Sequence, residues 1–191
     1  DSTGHLEGFA SASHIRALLR EGRREEAASL LPDGSLEALG QPASLLWAER
    51  AILARLRTME EDGWAALPDG GGAEGLPARL VRAARQACSL EEFYTLAKTR
   101  RYTHARLRRL AVSAFLGLTQ EDRRLAVPYV RVLGLNERGQ ALLKRMKGTC
   151  ALPILTKPAQ ARALDGSARR LFEAESRYTD LYGLCSPTPK P

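Results

Sequence analysis

Apolar residues recur at helical spacing along most of the chain, and this pattern limits the fold more than any other feature of the sequence. In the stretch 103–116, Leu107, Leu110, Ala111 and Ala114 fall on one side of a helix, because residues three or four apart share a face. Similar stripes occur in 11–22, 24–30, 44–57, 137–147 and 167–182. The chain is therefore expected to fold mainly as packed amphipathic helices.

Two short segments interrupt the helical pattern and favour extended backbone, 129–134 and 152–156. A glycine-rich loop, 68–75, lacks the Gly-Lys-Ser/Thr ending of a P-loop and follows no strand, so it is predicted to be a connector. The buried side chains are expected to include Trp64, Leu142 and Leu143. Together these patterns predict an all-α fold, a helical bundle-like domain with short extended segments and loops.

Charge is divided unevenly along the chain, whose net charge is +7. Residues 1–77 contain 7 cationic and 13 acidic side chains, a net of −6, whereas residues 78–157 contain 17 and 5, a net of +12. Arginine supplies most of the positive charge, and its planar guanidinium suits phosphate better than an ammonium group does. This asymmetry indicates a polyanionic partner for the middle segment. The alternative is a solvated basic face that binds nothing.

A strongly basic stretch, Lys98–Arg109, lies in that middle segment, and six of its twelve residues are cationic. A rotation of about 100° per residue places Arg109 nearly opposite the apolar stripe, with Arg106 beside it. Tyr102 falls on the same side if the helix begins that early. The cations of the preceding turn are Lys98, Arg100 and Arg101. Cations around an exposed aromatic ring predict backbone neutralisation and base stacking, although composition alone leaves the kind of nucleic acid open.

Ser11, Ser13 and Arg16 lie at the start of the first predicted helix. A serine hydroxyl there accepts a free backbone N–H as an N-cap, and the same end of a helix is suited to binding a phosphate. The residues alone leave both interpretations open, and simple capping is the plainer of the two.

The three cysteines, Cys88, Cys150 and Cys185, are far apart and lack the spacing of metal ligands. Their odd number indicates reduced thiols in a cytoplasmic protein. No apolar run approaches the roughly 20 residues of a membrane helix, and no charged-then-apolar leader is present. The sequence therefore predicts a cytoplasmic protein with no metal site of its own and no membrane partner.

Five segments carry a family resemblance: Ala10–Arg16, Lys98–Arg109, Tyr129–Gly139, Leu152–Lys157 and Tyr178–Tyr182. In them the chain resembles the C-terminal half of the bacterial tRNA-methionine cytidine acetate ligases, of the HIGH-type nucleotidyltransferase superfamily. The resemblance implies an enzyme that uses ATP, with Mg²⁺, to activate acetate as acetyl-adenylate. It further implies transfer of the acetyl group to the wobble cytidine of elongator tRNA-methionine, which gives 4-acetylcytidine.

The same resemblance implies roles for particular residues. Ser11, Ser13 and Arg16 correspond to an element that helps to hold the phosphates of ATP. The expected tRNA-facing residues are Lys98, Arg100, Arg101, Tyr102, His104, Arg106, Arg109 and Arg131. The implied domains are the end of a nucleotide-binding region at 1–22, a helical tRNA-binding domain at 23–185 and a proline-rich tail at 186–191.

One part of the family pattern is missing, the catalytic His-x-Gly-His of its N-terminal α/β domain. His5-Leu-Glu-Gly8 is not that motif, and no paired carboxylates or nucleophile–base arrangement replaces it. The resemblance therefore implies a C-terminal region that is inactive alone, and no catalytic residue is assigned. Two alternatives stay open: a non-catalytic helical RNA-binding adaptor, and a scaffold whose basic surface meets an acidic protein.

Overall fold

The computed structural model describes residues 10–39, 43–71 and 75–189. Contacts between residues divide the chain into two compact units, Asp1–Ala43 and Ser44–Pro191. The start of the predicted nucleotide-binding region, part of the glycine-rich loop and the end of the predicted tail lie outside the described residues. Each unit is described separately.

The first unit contains the helices α1 (Ala12–Arg20), α2 (Arg24–Ser29) and α3 (Ser35–Ala38). The first of these begins where the sequence predicts, because the hydroxyl of Ser11 accepts the backbone N–H of His14 at 3.2 Å. It ends before Gly22, whose positive φ of 77° is a conformation that glycine adopts readily. Leu18 and Ala27 are the buried apolar side chains of α1 and α2.

The second unit is mainly helical. Its helices are α4 (Glu49–Arg57), α5 (Glu61–Ala65), α6 (Leu76–Gln86), α7 (Leu90–Ala97), α8 (His104–Leu116), α9 (Gln120–Arg124), α10 (Glu137–Met146) and α11 (Gly166–Gly183). A short 3-10 helix, Pro158–Ala163, precedes α11. Among the described residues, no helix combines the length and the apolar character needed to cross a membrane.

One apolar core joins helices α4 to α8 of the second unit. Trp64 of α5 has no exposed surface and stacks on Phe93 of α7, with the ring centroids 6.0 Å apart. Leu107 and Leu110 of α8 are fully buried, on the stripe that the sequence predicts. Full burial of each such side chain contributes roughly 1.5–3 kcal/mol. The predicted core position of Trp64 and the predicted phase of α8 are therefore confirmed.

The prediction of an all-α fold is wrong, because two segments of the second unit pair as a parallel sheet. β1 (Val130–Arg131) lies beside β2 (Ile154–Leu155), with Val130 opposite Ile154. The backbone N–H groups of Val130 and Val132 each donate to a carbonyl of the other segment at 2.9 Å. Parallel strands need a crossover connection, and α10 lies within it. The sequence predicts extended backbone at both places, but the pairing is a tertiary contact that no local pattern reveals.

The prediction that Leu142 points inward is also wrong. Leu142 is 56% exposed, Leu143 is half-buried, and α10 has no buried residue. A small apolar cluster forms elsewhere in this part of the unit, around Tyr129, Leu155 and Leu164. Helical spacing identifies the apolar face of α10 but does not determine whether another element covers that face.

Gly70 fixes the path of the loop that follows α5. Its backbone N–H donates to the carbonyl of Leu67 at 2.9 Å. A Cβ atom added at this position would overlap the backbone carbonyl oxygen of Trp64. Because that carbonyl belongs to a core residue and cannot move aside, any side chain at position 70 displaces the loop.

We expect Gly70→Ala to lower the free energy of unfolding by about 1–3 kcal/mol, the usual cost of overpacking. Gly71→Ala is the matched control, since a Cβ at that neighbouring glycine would lie an ordinary 3.4 Å from the carbonyl oxygen of Ala65. Chemical denaturation of both variants measures the difference. Equal unfolding midpoints would contradict the steric role of Gly70.

Candidate nucleic-acid interface

A tight turn leads from α7 into α8. The backbone groups of Thr99 and Tyr102 bond to each other in both directions, with N···O distances of 3.4 and 3.3 Å. Thr103 then caps α8, its hydroxyl accepting a backbone N–H of the first turn at 3.4 Å. This turn leaves the side chains of Arg100 and Arg101 exposed. The basic stretch therefore begins as a turn and continues as a helix.

Tyr102 is buried, so the prediction of an exposed aromatic ring for base stacking is wrong. Only 5% of Tyr102 is exposed, because α8 begins after it and the tyrosine belongs to the turn instead of the outer helix face. The guanidinium of Arg106 lies over its ring, with Cζ 5.6 Å from the ring centroid, which is within the range of a cation–π contact. Tyr102 therefore helps to position the guanidinium of Arg106 through this cation–π contact.

Arg106 is half-buried and bound to the backbone of Asp69. Its Nε and Nη2 donate to the carbonyl oxygen of Asp69 at 3.0 and 2.6 Å. The expectation that Arg106 lies on the outside, available to a partner, is therefore wrong. Its side chain connects α8 to the loop that follows α5.

The carboxylate of Asp69 binds two further arginines. Its Oδ2 accepts from Nε of Arg109 at 3.0 Å, and its Oδ1 accepts from Nη1 of Arg123 at 2.9 Å. The hydrogen bond from Arg109, followed by that from Arg123, holds the pKa of Asp69 below its ordinary value. We call Asp69 with Arg106, Arg109 and Arg123 the Asp69 cluster.

Sequence reasoning missed Asp69, which lies in the loop that it treats as a connector. The residue has a positive φ of 64°, a conformation that aspartate tolerates better than most residues do. An Asp-Gly step is a turn signal, and Asp69-Gly70 is such a step. That signal indicates the turn but carries no information about the arginines that reach it.

One side of the Asp69 cluster is open to solvent. The side chains of Arg109 and Arg123 are each 61% exposed, whereas that of Asp69 is 29% exposed. Exposed ion pairs contribute roughly 0–1 kcal/mol, so Arg109 and Arg123 can exchange the carboxylate for a phosphate at little cost. Because the cluster contains three guanidinium groups and one carboxylate, it keeps a net positive charge.

A groove of about 580 Å³ lies beside the Asp69 cluster. Its apolar lining comes from Pro68, Val112, Leu118 and Leu171. Asp122, the acidic residue that lines it together with Asp69, accepts hydrogen bonds from Thr119 and from Arg170. The hydrogen bond from the Thr119 hydroxyl is the main cause that lowers the pKa of Asp122. Both carboxylates of the groove are therefore ionised at neutral pH.

Four other predicted tRNA-facing residues lie in or near the turn before α8. Lys98, Arg100 and Arg101 are exposed, and none of them forms an ion pair within the described part of the chain. His104 is half-buried, and its Nδ1 has no hydrogen-bond partner among the described residues. These residues precede Arg106 and Arg109 in the same stretch of the chain, Lys98–Arg109.

Arg131 belongs to a different set of contacts. It lies on β1, pairs with Glu175 at 2.7 Å and holds its Cζ 5.2 Å from the ring centroid of Phe172. Phe172 packs against the small apolar cluster around Tyr129. Within the described residues, no hydrogen bond or ion pair links Arg131 to the Asp69 cluster.

The predicted nucleotide-binding residues lie together at the start of α1, in the first unit. Ser11 serves as the N-cap, and Nη2 of Arg16 donates to the hydroxyl of Ser13 at 3.4 Å with both side chains exposed. A guanidinium and a hydroxyl at a helix N-terminus suit a phosphate. The described residues contain no group of three or more His, Cys, Asp or Glu side chains placed to hold a metal ion.

Comparison with known proteins identifies a family for this chain. A family model described as HIGH Nucleotidyl Transferase matches residues 1–191. The tRNA(Met) cytidine acetate ligase of Listeria monocytogenes serotype 4b (strain CLIP80459) is 32% identical over 186 residues, 96% of this chain and 45% of that protein. The ligase of the same name from Kosmotoga olearia is 33% identical over 162 residues, 79% of this chain and 38% of that protein. The chain spans about half the length of the curated relatives it matches.

Two solved structures of Thermotoga maritima TmcAL have a similar fold and 28% sequence identity. The apo form gives a TM-score of 0.86 and covers 98% of this chain and 48% of that one. The form bound with alpha-thio ATP gives 0.85, with 94% and 48% covered. The match also counts against the all-α prediction, because the HIGH domain is an α/β fold.

We expect Asp69→Asn to lower stability at neutral pH and to have no effect in strong acid. The pKa of Asp69 in the fold lies below the ordinary value of about 3.9 that the unfolded chain has. The ionised carboxylate therefore stabilises the fold above about pH 4, and this contribution disappears as pH falls through the lower folded-state value. The contribution is measured by comparing the free energies of unfolding of the original chain and the Asp69→Asn variant at acidic and neutral pH. A difference that does not change with pH would contradict this role.

Arg106→Ala is expected to cost about 1–3 kcal/mol of stability, because it removes charge-assisted hydrogen bonds to a partly buried carbonyl. Arg109→Ala removes only an exposed ion pair and is expected to cost less than about 1 kcal/mol. Urea denaturation of the two variants compares these costs directly. An equal loss in both would show that Arg106 is not the structural member of the cluster.

Proposed function

Because the chain belongs to the HIGH nucleotidyl transferase family, we propose that it is the tRNA-binding, C-terminal part of an ATP-dependent tRNA cytidine acetate ligase. In this proposal the complete protein activates acetate with ATP as acetyl-adenylate and acetylates the wobble cytidine of elongator tRNA-methionine. Relatives that are 32–33% identical and bear the name tRNA(Met) cytidine acetate ligase support it. So does the similar fold of the T. maritima protein bound with alpha-thio ATP.

The Asp69 cluster is the observation that carries the tRNA-binding part of the proposal. It holds Arg109 and Arg123 at the surface in defined positions, although each side chain is 61% exposed. Holding a guanidinium in place lowers the entropy that is lost when it binds a phosphate. Lys98, Arg100 and Arg101 add exposed positive charge nearby in the sequence. Such a surface suits the phosphates of a folded RNA.

The predicted RNA contacts take different roles in this proposal. Arg106 and Tyr102 position the cluster from inside, whereas Arg109 and Arg123 contact phosphate. His104 and Arg131 stay predicted contacts, and the exposed fraction of the Arg131 side chain, 37%, leaves room for one. Arg123 is an addition that the sequence did not indicate.

The first residues of the chain take the nucleotide-binding role. In this proposal 1–22 is the end of the nucleotide-binding region, 23–185 the predominantly helical tRNA-binding domain and 186–191 a tail. Ser11, Ser13 and Arg16 would help to hold the phosphates of ATP, which supplies the energy to activate acetate. The chemistry itself requires residues that this sequence does not contain, so the chain alone is proposed to be inactive.

We place the protein in the cytoplasm, where its substrates ATP and tRNA occur. The three cysteines are all free, which suits a reducing compartment.

The chain is expected to bind tRNA with log K falling against log salt concentration at a slope of about −3 to −5. This slope corresponds to roughly four to six phosphate contacts. Fluorescence anisotropy with labelled tRNA at several salt concentrations measures it. Salt-independent binding, or no binding at low salt, would contradict the proposal and favour a protein-binding scaffold.

Arg109→Ala combined with Arg123→Ala is expected to weaken tRNA binding by about 1–3 kcal/mol and to make the slope shallower by about 2. The charge-matched control combines Arg23→Ala with Arg85→Ala, two exposed arginines that are ion-paired elsewhere. The control is expected to change binding far less. Equal losses of tRNA affinity in the two double variants would show that binding depends on net charge and not on the positions of Arg109 and Arg123.

A further inference from the structure

The groove beside the Asp69 cluster has the make-up of a ligand site. Its volume of about 580 Å³ lies within the range of small-molecule sites. Pro68, Val112, Leu118 and Leu171 give it a mainly apolar lining. An apolar lining with a few placed polar groups is the usual composition of such sites.

The polar groups at the groove are few and fixed. Ser113 of α8 is 8% exposed and lines the groove. Asp69 and Asp122 contribute carboxylates that arginine and threonine side chains hold in place. Arg109 and Arg123 line the same groove. The groove therefore offers a hydroxyl, two acceptors and two cations around an apolar surface.

These features of the groove favour a nucleotide over an acidic peptide as its ligand. A nucleobase has apolar faces that suit the lining, and the exocyclic amine of cytosine, adenine or guanine is a donor that suits a carboxylate. A phosphate on the same nucleotide would reach Arg109 and Arg123. The carboxylates oppose the entry of an acidic peptide, which could bind only the arginines.

We propose that the groove binds one unstacked nucleotide of the RNA, with its base on the apolar lining and its phosphate on Arg109 and Arg123. The proposal rests on the tRNA-binding function above. It adds that part of the contact is made to a base and not only to the RNA backbone. Cytidine, adenosine and guanosine, whose bases carry an exocyclic amine, are expected to be preferred over uridine.

Val112→Trp tests the groove proposal through its effect on tRNA affinity, because the larger side chain fills the groove and every arginine is retained. We expect affinity to fall about tenfold, the size of losing one stacked base, with an unchanged salt slope. Val127→Trp is the control, since Val127 is 70% exposed and does not line the groove. Circular dichroism checks that both variants fold. Affinity equal to that of the control would overturn the proposal.

A second measurement needs neither a variant nor tRNA. Nuclear magnetic resonance of the intact chain is titrated with cytidine 5′-monophosphate, uridine 5′-monophosphate and ribose 5-phosphate. We expect the cytidine nucleotide to shift the backbone amides of Val112, Leu118 and Leu171 most, and ribose 5-phosphate to shift only those near the arginines. Equal effects of cytidine 5′-monophosphate and ribose 5-phosphate would mean a phosphate site alone and overturn the proposal.

The two measurements separate the proposals. If the chain fails to bind tRNA, the proposed function is wrong, and the nucleotide titration still decides whether the groove accepts a base. If tRNA binds but filling the groove has no effect, or if the cytidine nucleotide and ribose 5-phosphate have equal effects, only the groove proposal is wrong.

Discussion

A single residue, Asp69, binds three arginines from two helices and so positions the basic surface of the Asp69 cluster. Its backbone carbonyl binds Arg106 and its carboxylate binds Arg109 and Arg123. The position of Asp69 depends in turn on its neighbour Gly70. Only glycine fits at position 70, because a Cβ atom there would overlap the backbone carbonyl oxygen of Trp64. Since Trp64 is stacked in the core on Phe93, the arginine surface is anchored to the packing of the second unit.

The sequence predicts well those features that depend on neighbours along the chain. The helix expected over 103–116 is found at His104–Leu116, with Thr103 as its cap. Trp64 is in the core as predicted. The resemblance to the tRNA-methionine cytidine acetate ligases, drawn from short motifs, is confirmed by the family model and by relatives about 32% identical over most of the chain.

The errors concern contacts between residues that are distant in sequence. The sequence correctly predicts extended backbone in 129–134 and 152–156. The all-α prediction is wrong because these two segments pair as a sheet, and that pairing depends on the fold around them. The prediction of an exposed Tyr102 is wrong because the turn before α8 buries this residue. The Asp69-Gly70 step indicates a turn but not the arginines that bind it, because these partners are 37 to 54 positions away. The distribution of charge along the sequence identifies the basic segment, but it does not distinguish the structural arginine, Arg106, from the exposed arginines.

The central claim is that tRNA binds this chain at the surface formed by Lys98–Arg109 and Arg123. Ultraviolet cross-linking of tRNA to the intact chain, followed by mass spectrometry of the linked peptides, tests it most directly. The prediction is that the cross-linked peptides map to Lys98–Arg109 and to α9, beside the Asp69 cluster. Cross-links confined to α10 or to the first unit would contradict it.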